Sequence, residues 1–175
     1  MIQLYRDREY LQIWDRKKII VTHRGNVGKR GIVAEHQSLS AESTAEGMLR
    51  EADAARSQGF APIPNSHLAK VLIHYRFQTW RADEVASFAE VLKSLIGDAL
   101  GWTGNGFYDG FSVGTQELTL WYLVVDSEIA VETILEVLRS HNFLEDQETK
   151  ASLALERDNK ILFAYPFQRK GEQFM

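Results

Sequence analysis

The stretch His23-Arg24-Gly25-Asn26-Val27-Gly28-Lys29-Arg30-Gly31 follows the apolar run Ile19-Ile20-Val21 and packs three glycines and four potential cations into nine residues. Glycines at this density let a chain turn tightly and bring a ligand or a neighbouring segment close to bare amides, while Arg24, Lys29 and Arg30 supply charge for an anion. The segment therefore predicts a positively charged turn between two strands. Outward from it, Tyr10–Asp15 and Ile19–His23 have strand composition and are joined by Arg16-Lys17-Lys18, so they form a hairpin with a charged tip. A third strand runs through Ile32–Gln37. The serines of 38–43 cap a helix over Ala41–Gln58, where Ala45, Met48, Leu49, Ala52 and Ala55 recur at helical spacing, and Gly59 closes it. One antiparallel sheet with one packed helix accounts for residues 1–62.

A second module over 67–175 follows the cluster Pro62-Ile63-Pro64-Asn65. Val71–Gln78 alternates as a strand, with Val71, Ile73, Tyr75 and Phe77 on one side. A helix spans Asp83–Leu100, and Gly101–Gly110 reads as a loop with four glycines. Leu118–Val125 is the most apolar strand and is expected at the centre of its sheet. A helix over Glu128–His141 and a hairpin of Ala151–Glu156 and Ile161–Tyr165, turning at Asp158-Asn159, complete the module. Strand, helix, glycine loop, strand, helix and strand is the order of a split βαβ, or ferredoxin-like, α/β sandwich. The predicted class is α+β, with one mixed sheet shared by both halves as the alternative.

Composition narrows the chemistry. There is no cysteine, which removes disulfides and thiolate chemistry. No apolar run approaches the roughly 20 residues of a membrane span, and the amino terminus has no signal-peptide pattern, so a cytoplasmic protein without a membrane partner is expected. Residues 1–62 carry 10 Lys+Arg against 8 Asp+Glu, and residues 63–175 carry 10 against 16. The halves are thus +2 and −6, and Arg16, Lys17, Lys18, Arg24, Lys29 and Arg30 fall in a window free of acids. No serine sits in a nucleophile-elbow pattern. His23 and His36, which flank the turn and are placed to face each other across a strand pair, lack a third ligand for a metal. Gly25, Gly28 and Lys29 do not reproduce the Walker spacing. No catalytic residue, metal or cofactor is expected.

The first third resembles the WGR domain. The resemblance rests on Tyr10-Leu11-Gln12-Ile13-Trp14, on Val21 through Gly31 with its glycine skeleton, and on a helix ending in Gly59-Phe60. In that family an aromatic-led strand precedes a Trp-Gly-Arg-x-Gly turn with another glycine three residues on. Aligning the glycines puts Arg24 where the family has Trp, and Asn26 where it has Arg. The resemblance implies binding near DNA breaks, as in poly(ADP-ribose) polymerases. Exchanging an indole and a forked guanidinium for Arg24 and Asn26 changes the contact surface that such binding uses. The whole chain also looks like a group of bacterial two-domain proteins with a Gly-Trp-Thr-Gly-x-Gly-x-x-Asp-Gly loop, here Gly101–Gly110.

Two candidate sites follow. The first is a nucleic-acid or anion site of Lys17, Lys18, Arg24, Asn26, Lys29 and Arg30, contacting a DNA phosphate backbone without reading sequence. Its alternative is a protein-interaction or regulatory surface that meets an acidic partner or a second copy. The second is a ligand loop in which Trp102 and Tyr108 stack on a base or sugar and Asn105 and Asp109 fix it.

Overall fold

The computed structural model describes residues 1–37, 43–114, 116–144, 149–157 and 160–165. The chain divides into two compact units, Met1–His67 with Trp102–Gly104, and Leu68–Gly101 with Asn105–Met175. The class is α+β, with two antiparallel sheets.

In the first unit β1 (Ile2–Arg6), β2 (Glu9–Arg16), β3 (Ile19–Asn26) and β4 (Ile32–Gln37) form a meander in spatial order β1-β2-β3-β4, and α1 (Thr44–Ser57) packs on one face. Leu4, Leu11, Ile13 and Ile20 meet Ala52 and Ala55 of α1 and Phe60 beyond it. Each such buried leucine or isoleucine is worth about 1.5–3 kcal/mol relative to exposure. Small alanines on α1 let the helix approach the sheet closely. Its start is fixed by a reciprocal capping box, in which Glu46 N–H donates to Ser43 Oγ (3.3 Å) and Ser43 N–H to Glu46 Oε2 (2.8 Å). The residues expected to open this helix at Ala41 lie outside the described residues. Strand β1 is an addition to the sequence expectation. It has a covered outer edge, because Tyr5 N–H donates to Ala61 O and Ala61 N–H to Tyr5 O, each at 2.8 Å.

In the second unit β5 (Ala69–Phe77), α2 (Ala82–Trp102), β6 (Gly106–Gly114), β7 (Glu117–Val124), α3 (Ser127–Ser140), β8 (Thr149–Arg157) and β9 (Lys160–Tyr165) build a sheet of order β6-β7-β5-β8-β9. Every neighbouring pair is antiparallel. The alternation of β5 holds, with Val71, Ile73, Tyr75 and Phe77 buried against Val85, Leu92 and Ile96 of α2 and Ile134 and Leu138 of α3. Both helices thus cover one face of this sheet.

Two expectations change. The sequence Gly101–Gly110 is not a loop, because α2 runs through Trp102 and β6 begins at Gly106, leaving only Thr103–Asn105 as the connection. Gly104 makes so short a link feasible by adopting φ +59° with its α-carbon under the Tyr10 ring, where a β-carbon would overlap the aromatic carbons. Strand β7 is internal, but β5 holds the centre, since β8 and β9 extend the sheet on its other side. The predicted turn at Asp158-Asn159 lies outside the described residues.

Candidate binding edge and the glycine turn

The backbone of the glycine turn is already engaged. Val27 N–H donates to Arg8 O (2.7 Å), Gly28 N–H to Thr103 O (2.9 Å) and Lys29 N–H to Asn26 O (2.9 Å). Three successive amides that would cradle an anion are therefore consumed inside the first unit. The glycines serve close packing instead: a β-carbon on Gly25 would sit 2.7 Å from the Gly31 α-carbon, and one on Gly31 would overlap the Arg24 carbonyl oxygen and the Tyr10 hydroxyl.

Beneath the turn, on the sheet face away from α1, lies a buried polar chain. His23 is fully buried, and its Nδ1 is 2.9 Å from Gln12 Oε1 while its Nε2 is 2.9 Å from Tyr10 Oη. Burial pushes the imidazole below its ordinary pKa, and the Arg30 guanidinium pushes the same way, against a backbone hydrogen bond with Gly31 that raises it. The neutral tautomer that satisfies this geometry carries its proton on Nδ1, donating to Gln12, and accepts at Nε2 from Tyr10. The Lys29 and Trp102 carbonyls stand 3.2 Å from the same hydroxyl. Trp102 presents its ring edge-on to His23 at 5.0 Å, and the Arg30 guanidinium lies 5.2 Å from the indole centre. His36 does not face His23. Residue 23 pairs with Val33 and residue 36 with Ile20, so the two imidazoles project from opposite sheet faces, and His36 Nε2 sits 3.3 Å from Thr22 Oγ1.

The six predicted anion-contacting residues split into groups. Lys17 and Lys18 form the two-residue tip between β2 and β3, and Lys29 and Arg30 form the turn at the far end of β3. Eight strand residues separate them, about 26 Å. The arginines beside these ends are ion-paired: Arg24 lies 3.1 Å from Glu9, a carboxylate it shares with Arg6, and Arg16, next to Lys17, pairs with Glu35. Arg6 and then Arg24 hold the Glu9 carboxyl below the usual carboxylate range, and both guanidinium groups stack on Phe60, at 4.9 and 5.0 Å. Asn26 shares the sheet face of Arg24. The run of positive letters is therefore two short basic ends and not a continuous stripe.

The predicted ligand loop also disperses. Trp102 belongs to the His23 cluster. Asn105 is buried and clasps the start of α3, with Nδ2 donating to Asp126 O (3.0 Å) and Oδ1 accepting from Asp126 N–H (2.8 Å). Tyr108 packs edge-on to Tyr122 at 5.8 Å, and Asp109, at a bulge of β6, lies 3.9 Å from Lys70 Nζ. Each of these side chains is engaged within the fold.

What the sequence reading missed is the outer edge of β4. All six residues Ile32–Gln37 are exposed, Ile32 by 81% and Val33 by 42%, and the ladder to β3 is regular, with no bulge. The bond from Val27 N–H to Arg8 O fixes the phase of the β2–β3 ladder, so residues 19, 21, 23 and 25 bond toward β2, and 20, 22 and 24 toward β4. Their partners His36, Ala34 and Ile32 turn inward, and Val33, Glu35 and Gln37 direct N–H and C=O outward. Among the described residues nothing pairs with them. On the α1 side of this edge runs a groove of about 520 Å³, floored by Thr22, Ile32 and Ala34 and walled by Ala54 and Ala55, with the Glu9–Arg24 pair at one end. The apolar start Ile32-Val33-Ala34 was the available signal, but position in a sheet is not written in one strand's letters.

Comparison with family models, with curated proteins and with solved structures finds no match to this chain. Among the described residues, no helix is long and apolar enough to cross a membrane.

Proposed function

We propose that the chain is a non-enzymatic binding module whose partner is another protein, in preference to a nucleic acid. The observation that carries this reading is the division of the cations: Lys17 and Lys18 lie at one end of β3, Lys29 and Arg30 at the other, and a regular, exposed edge strand with an apolar first half, Ile32–Ala34, lies alongside. A phosphate-tracking surface needs adjoining cations and free amides, whereas here Arg16 and Arg24 are paired with carboxylates and the turn amides are bonded internally. A WGR-like assignment for the first unit draws support from its four-stranded antiparallel sheet, its single helix and the Gly59-Phe60 ending. In the second unit, the crossover from β5 through α2 to β6 with β7 lying between supports a split βαβ, ferredoxin-like assignment. Neither assignment carries a function by itself.

The test is binding of a fluorescent 20-base-pair duplex to the full chain across a salt series. The protein reading expects no saturable binding at physiological salt below about 100 μM. Saturable binding with a log–log salt slope near −4, lost in Lys29→Glu/Arg30→Glu, would require the four cations to act together and would restore the nucleic-acid reading.

A further inference from the structure

Resting on the protein-partner reading, we infer that β4 is a strand-addition site, and that its occupant is an extended segment of another protein with an apolar middle and carboxylates at both ends.

The two edges of the first sheet are treated differently. On the outer edge of β1 the Tyr5 backbone is paired reciprocally with Ala61, while Val33, Glu35 and Gln37 on β4 leave their backbone groups outward. Natural sheets blunt such edges with proline, bulges or lysine on the strand, and β4 has none of these. An antiparallel strand laid along it would form ladder bonds to those three residues and pass alternate side chains to the two faces. On the α1 side those side chains would enter the groove beside Ile32 and Ala34, bounded by the small Ala54 and Ala55, which suits valine-sized groups.

The charges set the ends. Among the described residues, Lys17, Lys18, Lys29 and Arg30 make no ion pair, and they bracket β4: the first two lie beside the Gln37 end through the Ile19–Gln37 pairing, and the last two precede Ile32 with only Gly31 between. Six strand residues span about 20 Å, so carboxylates six to eight residues apart on the incoming strand would reach both ends at once. Along the middle, Glu35 is paired with Arg16 and Glu9 with both Arg6 and Arg24, so neither carboxylate is left unpaired to repel an acid-ended strand. The separation that disfavours a phosphate backbone is the spacing that an acid-ended strand requires.

The experiment titrates the ¹⁵N-labelled full chain with the peptide Ac-Asp-Asp-Val-Thr-Val-Thr-Val-Asp-Asp-NH₂ and with its counterpart bearing lysines for the aspartates, following amide shifts and exchange. Expected is at least tenfold tighter binding of the acid-ended peptide. The amides of Val33, Glu35 and Gln37 should gain protection while those of Ala34 and His36 change little. Lys18→Glu/Lys29→Glu, exposed turn substitutions that leave the sheet intact, should weaken binding at least tenfold. Val33→Pro removes one outward donor, and if it folds it should weaken binding without altering the charge. Equal affinity for the two peptides, no binding, or shifts confined to the lysine turns with no protection of the β4 amides would overturn the proposal. Protection that rises with protein concentration alone would assign the edge to a second copy and overturn the stated occupant. Failure here together with an absent duplex interaction removes the β4 site alone, whereas steep duplex binding removes the protein reading on which it rests.

Discussion

His23 sits where a sequence reader sees a cation or a metal ligand, yet its surroundings make it a neutral link between Gln12 and Tyr10. Its pKa in the folded chain is lowered from 6.5, chiefly by burial. The unfolded chain therefore binds more protons than the folded one once pH falls below about 6.5, and stability drops with falling pH through the folded pKa. Above that window the contribution is fully present. Thermal unfolding followed through amide signals of β2 and β3 should show a lower midpoint at pH 5.5 than at pH 7.5. His23→Gln should be less stable at pH 7.5 but lose less between the two conditions; an unchanged pH dependence in that variant would remove His23 as the cause. The sequence showed the imidazole and its strand, but the hydroxyl and amide that satisfy it stand 13 and 11 positions away. Burial of this kind is decided by the register of β2 against β3, which no local pattern encodes.

At the scale of elements, helices were the most legible. α1 and α3 start within a few residues of their polar caps, Ser43 and Asp126, because capping is a local bargain between one side chain and the next turn. Strand β6 was hidden by its own glycines, since the letters of a flexible loop and those of a bulged edge strand coincide. Asn105, read as a ligand contact, instead ties the entry of β6 to the start of α3. Asn105→Ala would remove both hydrogen bonds that Asn105 makes to the Asp126 backbone, and equilibrium denaturation should show a loss of about 1–3 kcal/mol in the second unit. The β2–β3 tip offers the opposite case. Lys17 and Lys18 both adopt positive φ, 50° and 72°, in a two-residue hairpin turn suited to Asn-Gly. Lys17→Asn/Lys18→Gly should raise the stability of the first unit by about 1 kcal/mol, measured by urea unfolding; a destabilisation would contradict the strain assigned to these residues.

At the scale of the whole molecule, charge along the chain was legible and charge in space was not. A window of six cations reads as one face, but an eight-residue strand running through it carries its ends about 26 Å apart, and Arg24 and Arg16 are paired with Glu9 and Glu35. The antiparallel, helix-bearing character of both halves followed from alternation and spacing. Which strands lie at the edges followed from pairings between distant segments, and the account of function depends on those edges. Amide hydrogen exchange of the free full-length chain is the most direct measurement of that dependence. Val33, Glu35 and Gln37 should exchange rapidly, while Ala34 and His36 beside them, and Tyr5 where the opposite edge is bridged to Ala61, should be protected. Uniform protection along β4 in the free protein would mean that its outer edge is already occupied, and would contradict an open strand awaiting a partner.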